Sequence, residues 1–208
     1  MKTSDAGFVL AVILLAVSVC SAQTNNAPRS NAKLSAAEFS TLAAACAPNV
    51  PVVTLRAIAR AESAFHPYAL SLNYPKRVAK EQGVESAGMF LARQPSSLEE
   101  AREWARWLSG RDRSVSIGLL QINSEEAEGL GLTPEQLFDP CTNVRAGARL
   151  LTMYYRQAAE VLGDGQQALQ YALSGYNSCF PLVGFRNGYV EAVINGEFSR
   201  PPRRRSRP

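Results

Sequence analysis

The stretch PVVTLRAIARAES, residues 51–63, predicts a helix with one apolar face that ends in a carboxylate. Pro51 suits the first turn of such a helix. At about 100° per residue, Glu62 lies within about 20° of Leu55 and about 40° of Ile58, so the carboxyl continues the apolar stripe. Burial at that position would disfavour the charged form and raise the pKa of Glu62, as a general acid requires. The alternative is a carboxyl that ends the helix and reaches solvent or caps a neighbouring amide.

Two polar segments follow in the chain, GLLQIN at 118–123 and SGYN at 174–177. Gln121 and Asn123 alternate with aliphatic residues, which predicts a strand-like segment with both amides on one face. Neutral amides suit a sugar site, because they donate and accept hydrogen bonds without adding a charge that would change the pKa of an acid. A polar edge strand is the alternative interpretation.

Tyrosines are the other candidates for a sugar site. Tyr176 and Asn177 are expected in a loop, because the preceding helix is predicted to end at Ser174. Tyr176 and Tyr189 each offer a ring that can stack on a sugar and a hydroxyl that can contact a carboxyl. Ordinary core packing is the alternative for each tyrosine.

The body of the chain is predicted to be mainly helical. Ser35 and Glu38 form a capping box before the first helix. The longest helix is expected to begin with Asn143 as its cap and to end at Gly163. Strand signals are confined to residues 70–120, which predicts a small irregular or hairpin lobe beside the helices.

Both ends of the chain differ in composition from the predicted fold. Residues 1–22 combine a lysine, an apolar run of about a dozen residues and small residues before Gln23, which predicts a cleaved secretory signal peptide and periplasmic export. A polar leader at 23–34 and a disordered tail at 196–208 are expected. The tail holds five arginines, and without them the formal net charge of +4 falls to about −1. The folded domain, 35–195, is therefore not basic, which argues against a nucleic-acid-binding face.

Three cysteines remain after such cleavage: Cys46, Cys141 and Cys179. An oxidising compartment favours one disulfide with one thiol left over. Cys46 and Cys141 each precede a predicted helix, and a bridge between these two helix starts is the preferred pairing. A metal site is not expected, because the chain has no CxxC motif and its single histidine, His66, lies far in sequence from any cysteine.

Taken together, the polar segments resemble those of the lysozyme-like lytic transglycosylases. The matching segments are ARAESAF at 59–65, SIGLLQIN at 116–123 and ALSGYN at 172–177. Further segments resemble the branch of the family that accompanies type IV secretion and conjugation systems: CAP at 46–48, FDPCTN at 138–143 and GFRNGYV at 184–190. The resemblance implies a mainly α, lysozyme-like α+β fold over residues 35–195.

The resemblance also implies a mechanism in which Glu62 is the only catalytic carboxylate. Glu62 would protonate the glycosidic oxygen between N-acetylmuramic acid and N-acetylglucosamine, and would then accept a proton from the muramic C6 hydroxyl. The product is a 1,6-anhydro sugar, formed without water. Tyr189 would support the acid. The substrate-binding residues that the resemblance implies are Ser63, Ser116, Gln121, Asn123, Tyr176, Asn177 and Tyr189.

No cofactor is implied. The expected partners of the monomeric chain are peptidoglycan glycan strands and proteins of a secretion or conjugation apparatus. One alternative is a goose-type muramidase, which adds water and needs a second carboxylate, for which Glu125 and Glu126 are candidates. Another is a non-catalytic peptidoglycan-binding scaffold for assembly. The chain departs from the family pattern after Asn177, where SCFP at 178–181 replaces a small residue and a glycine, which leaves Cys179 as a candidate reactive thiol.

Overall fold

A computed structural model of the chain describes residues 33–73, 89–91, 93–109 and 114–196. The predicted signal peptide, most of the leader and the arginine-rich tail lie outside these residues. The described helices are α1 (Ala36–Cys46), α2 (Val52–Ser63), α3 (Leu98–Ser109), α4 (Ser124–Gly129), a 3₁₀ helix (Pro134–Phe138), α5 (Pro140–Leu162), α6 (Gln166–Ser178), α7 (Val183–Arg186) and α8 (Tyr189–Asn195). The strands are β1 (Leu70–Asn73), β2 (Met89–Phe90), β3 (Ser114–Ile117) and β4 (Ile122–Asn123). The fold is mainly α with a small antiparallel sheet, as predicted.

The first helix begins as the sequence predicts. The backbone N–H of Glu38 donates to Ser35 Oγ at 3.2 Å, and the N–H of Ser35 donates to Glu38 Oε2 at 2.7 Å. This reciprocal pair confirms the capping box, which satisfies two backbone donors at the start of α1.

The start of the longest helix differs from the prediction. The cap of α5 is Asp139, whose carboxylate accepts a hydrogen bond from the N–H of Thr142 at 2.7 Å. The prediction that Asn143 caps the helix is wrong, because Asn143 lies inside the first turn and is only 1% exposed. The predicted end at Gly163 is confirmed. Within the described part of the chain, neither α5 nor any other helix is long and apolar enough to cross a bilayer.

α6 is longer than predicted. It continues to Ser178, so the prediction that Tyr176 and Asn177 lie in a loop is wrong. Its buried face includes Ala172 and Leu173, and Tyr176 continues that face against the core, so tertiary packing extends the helix. Cys179 caps the C-terminal end of α6; it has a left-handed φ of 63° and donates its N–H to the carbonyl of Gly175.

The sheet has the strand order β2-β1-β3-β4, with antiparallel neighbours throughout. In the central pair, Ser71 lies opposite Ser116. The predicted hairpin lobe is thus confirmed. The prediction of a strand through GLLQIN is wrong, because residues 118–121 form a turn and only Ile122–Asn123 pairs with β3. Left-handed φ angles at Gly118 and Gln121, of 81° and 47°, reverse the chain there.

Two glycines allow α5, α6 and this turn to pack closely. A Cβ atom on Gly147 of α5 would collide with Leu120 and with the Tyr176 hydroxyl. A Cβ atom on Gly175 of α6 would lie 2.8 Å from the ring of Tyr154 on α5. Because protein interiors have few voids, side chains at either position would force these elements apart.

An open apolar pocket lies beside α3, where its wall includes Leu91, Trp104, Trp107 and Leu108. Trp107 is 60% exposed, and the Arg93 guanidinium lies over the Trp104 ring at 4.9 Å from its centroid. None of the predicted site residues lines this pocket. It is therefore separate from the place at which the resemblance predicts glycan binding.

A disulfide joins Cys46 and Cys141, as predicted, with their Cα atoms 5.4 Å apart. Cys46 is the last residue of α1, so the bridge connects the end of α1 to the start of α5 rather than two helix starts. Cys179 is a free, exposed thiol. The bridge spans 95 residues of sequence and therefore restricts a large part of the unfolded chain.

Replacement of both bridged cysteines, C46S/C141S, is expected to lower the free energy of unfolding by about 2–4 kcal/mol, because the unfolded chain regains conformational freedom. Urea unfolding of the double variant measures this change. Cys179→Ser is the matched control and is expected to unfold like the wild type. A double variant with wild-type stability would contradict the prediction.

Candidate active site

Glu62 lies in the last turn of α2, one turn after the fully buried Ile58. The helix ends immediately afterwards, because Ala64 and Phe65 adopt left-handed conformations with φ of 50° and 63°. The Phe65 ring packs against Phe39 of α1 at a centroid distance of 5.5 Å. The end of α2 therefore holds the carboxyl half-buried instead of carrying it out into solvent.

The surroundings of Glu62 favour its protonated form. Burial raises the pKa of Glu62 to about 7. The Tyr189 hydroxyl donates a 2.6 Å hydrogen bond to Glu62 Oε1 and opposes this rise, whereas the negative charge of Glu126 adds to it. The predicted desolvation of Glu62 is thus confirmed. Near neutral pH, such a carboxyl holds its proton in about half of the molecules, which suits a group that must both give and take a proton.

Tyr189 is held in place by its own segment. It follows Gly188, which has a left-handed φ of 78°, and it is the first residue of α8. The N–H of Tyr189 donates to Asn187 Oδ1 at 3.0 Å, and Asn187 Nδ2 donates to Asn177 Oδ1 at 2.8 Å. Burial raises the pKa of Tyr189 well above its ordinary value, so the hydroxyl remains protonated as a hydrogen-bond donor to Glu62.

The turn at 118–121 lies against the end of α2 and against α6. Ser63 Oγ donates to the carbonyl of Leu119 at 2.8 Å, and the Tyr176 hydroxyl donates to the carbonyl of Leu120 at 2.8 Å. Two of the predicted substrate-binding residues, Ser63 and Tyr176, therefore contact neighbouring carbonyl groups of one turn. Their polar groups contribute to the architecture of the site.

Asn143 fixes the same turn from the side of α5. Its Oδ1 accepts a 2.8 Å hydrogen bond from the N–H of Leu120. Its Nδ2 donates to the carbonyls of Ile117 and Leu137, at 2.8 and 2.9 Å. One buried amide thus satisfies three backbone groups, from β3, from the turn and from the 3₁₀ helix, which explains why it is drawn inside the helix instead of capping it.

Gln121 is almost entirely buried, at 9% exposure. Its Nε2 donates to the carbonyls of Ala69 and Gly118, each at 3.0 Å. Its Oε1 is buried without a hydrogen-bond partner, which costs about 1–3 kcal/mol for a neutral acceptor. Gln121 therefore combines an unsatisfied buried acceptor with a left-handed backbone conformation.

Ser116 and Asn123 lie directly opposite each other in the β3–β4 pair. Ser116 Oγ accepts a 2.6 Å hydrogen bond from Asn73. Asn123 donates to Ser114 Oγ at 3.1 Å and accepts from the N–H of Glu125 at 2.9 Å, which caps α4. Both side chains support the sheet lobe, and their role in substrate binding stays a prediction.

The two candidate second carboxylates occupy different environments. Glu125 is exposed on α4, whereas Glu126 is half-buried. Glu126 Oε1 accepts a hydrogen bond from the Tyr154 hydroxyl at 3.1 Å and contacts Cys179 Sγ at 3.5 Å. Cys179, at the point where the chain departs from the family pattern, thus contacts a carboxylate close to the site.

Tyr176 lies within electrostatic reach of both carboxyl groups. Burial raises its pKa well above the ordinary value, and the charges of Glu62 and Glu126 each raise it further. Tyr176 is therefore a neutral donor at physiological pH. Glu62, Tyr176 and Glu126 form one electrostatically connected group.

Sequence analysis did not identify Asn143, Asn187 or Tyr154 as residues of the site. Asn143 and Asn187 lie in segments that carry the resemblance, but asparagine near a helix start indicates a cap or a turn when only the sequence is known. Nothing in the sequence around Tyr154 distinguishes it from an ordinary residue of an amphipathic helix. The contacts of these residues come from elements that are distant in sequence.

In the part of the chain that the structure describes, no three His, Cys, Asp or Glu side chains could together hold a metal ion. His66 Nδ1 accepts a hydrogen bond from the N–H of Tyr68 at 3.1 Å, and burial lowers the pKa of His66. His66 therefore stabilises the turn after α2 in its neutral form. The expectation that the chain uses no metal or cofactor stays a prediction.

Comparison of the chain with known protein families identifies the class to which this fold and site belong. The model of the family described as Transglycosylase SLT domain matches residues 39–193, and the chain belongs to that family. The chain is 35% identical to the type IV secretion system protein virB1 of Brucella abortus biovar 1, over 75% of this chain and 62% of that relative. It is 37% identical to the protein virB1 of Agrobacterium fabrum, over 88% of this chain and 66% of that relative. The chain thus spans slightly less than two thirds of the length of these relatives. No solved structure matches it.

Glu62→Gln is expected to stabilise the protein at alkaline pH. The folded state holds the Glu62 proton up to about pH 7, whereas the unfolded chain releases it near the ordinary value of 4.5, so wild-type stability falls as the pH rises through this interval. At pH 8 the variant is expected to exceed the wild type by about 1–3 kcal/mol, with little difference at pH 4.5. Urea unfolding at both pH values measures the difference, with the exposed Glu125→Gln as control. Equal stability of wild type and Glu62→Gln at pH 8 would refute the desolvation of this carboxyl.

Asn143→Ala is expected to lower the free energy of unfolding by about 3 kcal/mol or more, because one N–H and two carbonyl groups lose a buried partner. Thermal or urea unfolding measures the loss. Asn195→Ala, at the exposed end of α8, is the control for removal of an amide. A loss below about 1 kcal/mol would mean that the turn at 118–121 does not depend on Asn143.

Proposed function

We propose that this chain is a peptidoglycan lytic transglycosylase that cleaves the β-1,4 bond between N-acetylmuramic acid and N-acetylglucosamine. The observation that carries the proposal is the half-buried carboxyl of Glu62, whose pKa is raised by burial to about 7 and which accepts a hydrogen bond from Tyr189. Membership in the SLT transglycosylase family and similarity to virB1 proteins support the same activity.

In the first step, Glu62 acts as a general acid. The proton of its carboxyl passes to the glycosidic oxygen, the bond from that oxygen to C1 of the muramic sugar breaks, and the N-acetylglucosamine end leaves with a hydroxyl. Positive charge develops at C1. Desolvation of Glu62 favours this step, because it keeps the proton on the carboxyl until transfer.

In the second step, the Glu62 carboxylate acts as a base. It accepts the proton of the muramic C6 hydroxyl, and the C6 oxygen forms a bond to C1, which produces the 1,6-anhydro sugar. Glu62 returns to its protonated state, and no water is consumed. The hydrogen bond from Tyr189 stabilises the carboxylate between the two steps, which offsets part of the effect of burial.

The substrate side of the proposal rests on the residues around the turn at 118–121. We place the glycan next to Glu62 and this turn, with Gln121, Ser63 and Tyr176 forming the adjoining wall. The buried Gln121 Oε1 is an acceptor that a sugar amide or hydroxyl donor could satisfy after a small movement. Ser116 and Asn123 would act by supporting the sheet lobe, and Asn177 by holding Asn187, which positions Tyr189.

The similarity to virB1 proteins, four of which are named as type IV secretion system proteins, supports a role in opening the cell wall locally for a secretion or conjugation apparatus. This setting requires export to the periplasm, and residues 1–22 would serve as the signal peptide. N-terminal sequencing of the exported chain tests the cleavage. A secretion or conjugation assay in a deletion strain tests the proposed role in the apparatus. We expect the wild-type chain to complement the deletion and Glu62→Gln not to complement it.

The product distinguishes the proposed reaction from hydrolysis by a muramidase. We expect the wild-type chain to release peptidoglycan fragments that end in 1,6-anhydromuramic acid, and Glu62→Gln to lower their release by about 100-fold or more. Mass spectrometry of the released fragments measures both, with Glu125→Gln as the matched control.

Three results would contradict parts of the proposal. Fragments about 18 Da heavier, with ordinary reducing ends, would mean a muramidase that adds water. Undiminished release by Glu62→Gln would remove Glu62 from the reaction. No release by the wild-type chain, together with glycan binding, would favour a scaffold.

A further inference from the structure

The cluster of Glu126, Tyr154 and Cys179 has no role in the reaction described above. Its members come from α4, α5 and the end of α6. The Tyr154 hydroxyl and the Cys179 thiol both contact the same oxygen, Glu126 Oε1, at 3.1 and 3.5 Å. The half-buried carboxylate is therefore held in a defined position instead of extending freely into solvent.

The cluster connects to the active site through a short series of contacts. Tyr154 packs against the backbone of Gly175, which precedes Tyr176. The Tyr176 hydroxyl bonds to the carbonyl of Leu120, and Ser63, the neighbour of Glu62, bonds to the preceding carbonyl in the same turn. α4 itself follows this turn after two residues of β4. The position of Glu126 is thus fixed relative to Glu62 by packed, hydrogen-bonded elements.

We propose that Glu126 is a positioning residue of the reaction, whose negative charge, held in place by Tyr154 and Cys179, keeps the proton on Glu62 before cleavage. A like charge disfavours ionisation of a neighbouring carboxyl, and this effect grows where solvent is excluded. The inference rests on the proposed function of Glu62 and extends it to a second carboxylate. It assigns no proton transfer to Glu126 itself.

The ionisable groups that act on Glu62 come from several elements, and they differ in sign. Glu126 of α4 raises the pKa of Glu62, and the hydrogen bond from Tyr189 of α8 lowers it, both to a smaller extent than burial raises it. Tyr176 of α6 faces both carboxyls as a neutral phenol. Arg60, on α2 itself, is exposed at the end of α8, where it lies near Gly196. Removal of Glu126 and removal of the Tyr189 hydroxyl are therefore expected to shift the titration of Glu62 in opposite directions.

The matched pair Glu126→Gln and Glu125→Gln tests the proposal. Both remove one charge from the same turn of α4, but only Glu126 belongs to the cluster. For Glu126→Gln, the alkaline limb of the pH profile of kcat/KM on peptidoglycan is expected to shift to lower pH by about 0.5–1 unit. This shift lowers kcat/KM about 3–10-fold at pH 8 and changes it little at pH 5. Glu125→Gln is expected to follow the wild-type profile. Glu126→Asp, which keeps the charge, is expected to retain most of the wild-type midpoint of the alkaline limb. Tyr189→Phe is expected to shift that midpoint to higher pH.

Direct titration separates failure of this inference from failure of the proposed function. The Glu62 carboxyl can be followed by carbon-13 NMR in uniformly labelled protein, assigned by its absence in Glu62→Gln, whether or not the chain cleaves peptidoglycan. A lower titration midpoint in Glu126→Gln supports the inference. An unchanged midpoint and pH profile would overturn it, and so would an equal shift in Glu125→Gln. If Glu126→Gln does not fold, Tyr154→Phe, which removes one contact to the carboxylate, is measured in its place with the same expected direction.

Discussion

The turn at 118–121 is buried backbone, and the hydrogen bonds that this backbone requires organise the site around it. Left-handed residues at both ends prevent the turn from pairing as a strand. Three of its backbone polar groups are satisfied by side chains from separate helices: Ser63 of α2, Asn143 of α5 and Tyr176 of α6. An unpaired buried group would cost about 1–3 kcal/mol, so these contacts determine where the three helices meet. Glu62 lies at that meeting point because it precedes Ser63.

The protonation of Glu62 follows from opposing effects of unequal size. Burial is the largest and favours the neutral acid, the hydrogen bond from Tyr189 favours the carboxylate, and the charge of Glu126 again favours the acid. For the proposed reaction, a carboxyl in an apolar pocket without a donor would be too weak an acid to release its proton readily, whereas a fully solvated one would lose its proton before cleavage. The combination brings the pKa close to 7, where both forms are accessible.

Several residues that the resemblance links to the substrate also support the architecture. Ser63 and Tyr176 each donate a hydrogen bond that holds the turn at 118–121, and Asn177 accepts one from Asn187, which positions Tyr189. Loss of activity after mutation of one of them therefore does not by itself identify a contact with the glycan. Measurement of stability alongside activity separates the two roles. Removal of an exposed substrate contact lowers kcat/KM but leaves the free energy of unfolding unchanged, whereas removal of a structural hydrogen bond lowers both.

Periodicity and local chemistry determined a large part of this protein. The apolar stripe of α2 predicted a desolvated Glu62, Ser35 and Glu38 predicted a capped helix, Gly163 predicted a helix end, and the positions of Cys46 and Cys141 predicted their bridge. The tertiary structure decided what these local patterns leave open. It placed Asn143 inside the first turn of α5 and turned the chain at Gln121, where alternation indicated a strand. It also extended α6 through Tyr176, and it placed Glu126 against Tyr154 while the adjacent Glu125 stays exposed. The physical reason is that a buried polar group must find its partners wherever the packed chain supplies them, and those partners lie up to 127 residues away in sequence, as Tyr189 does from Glu62.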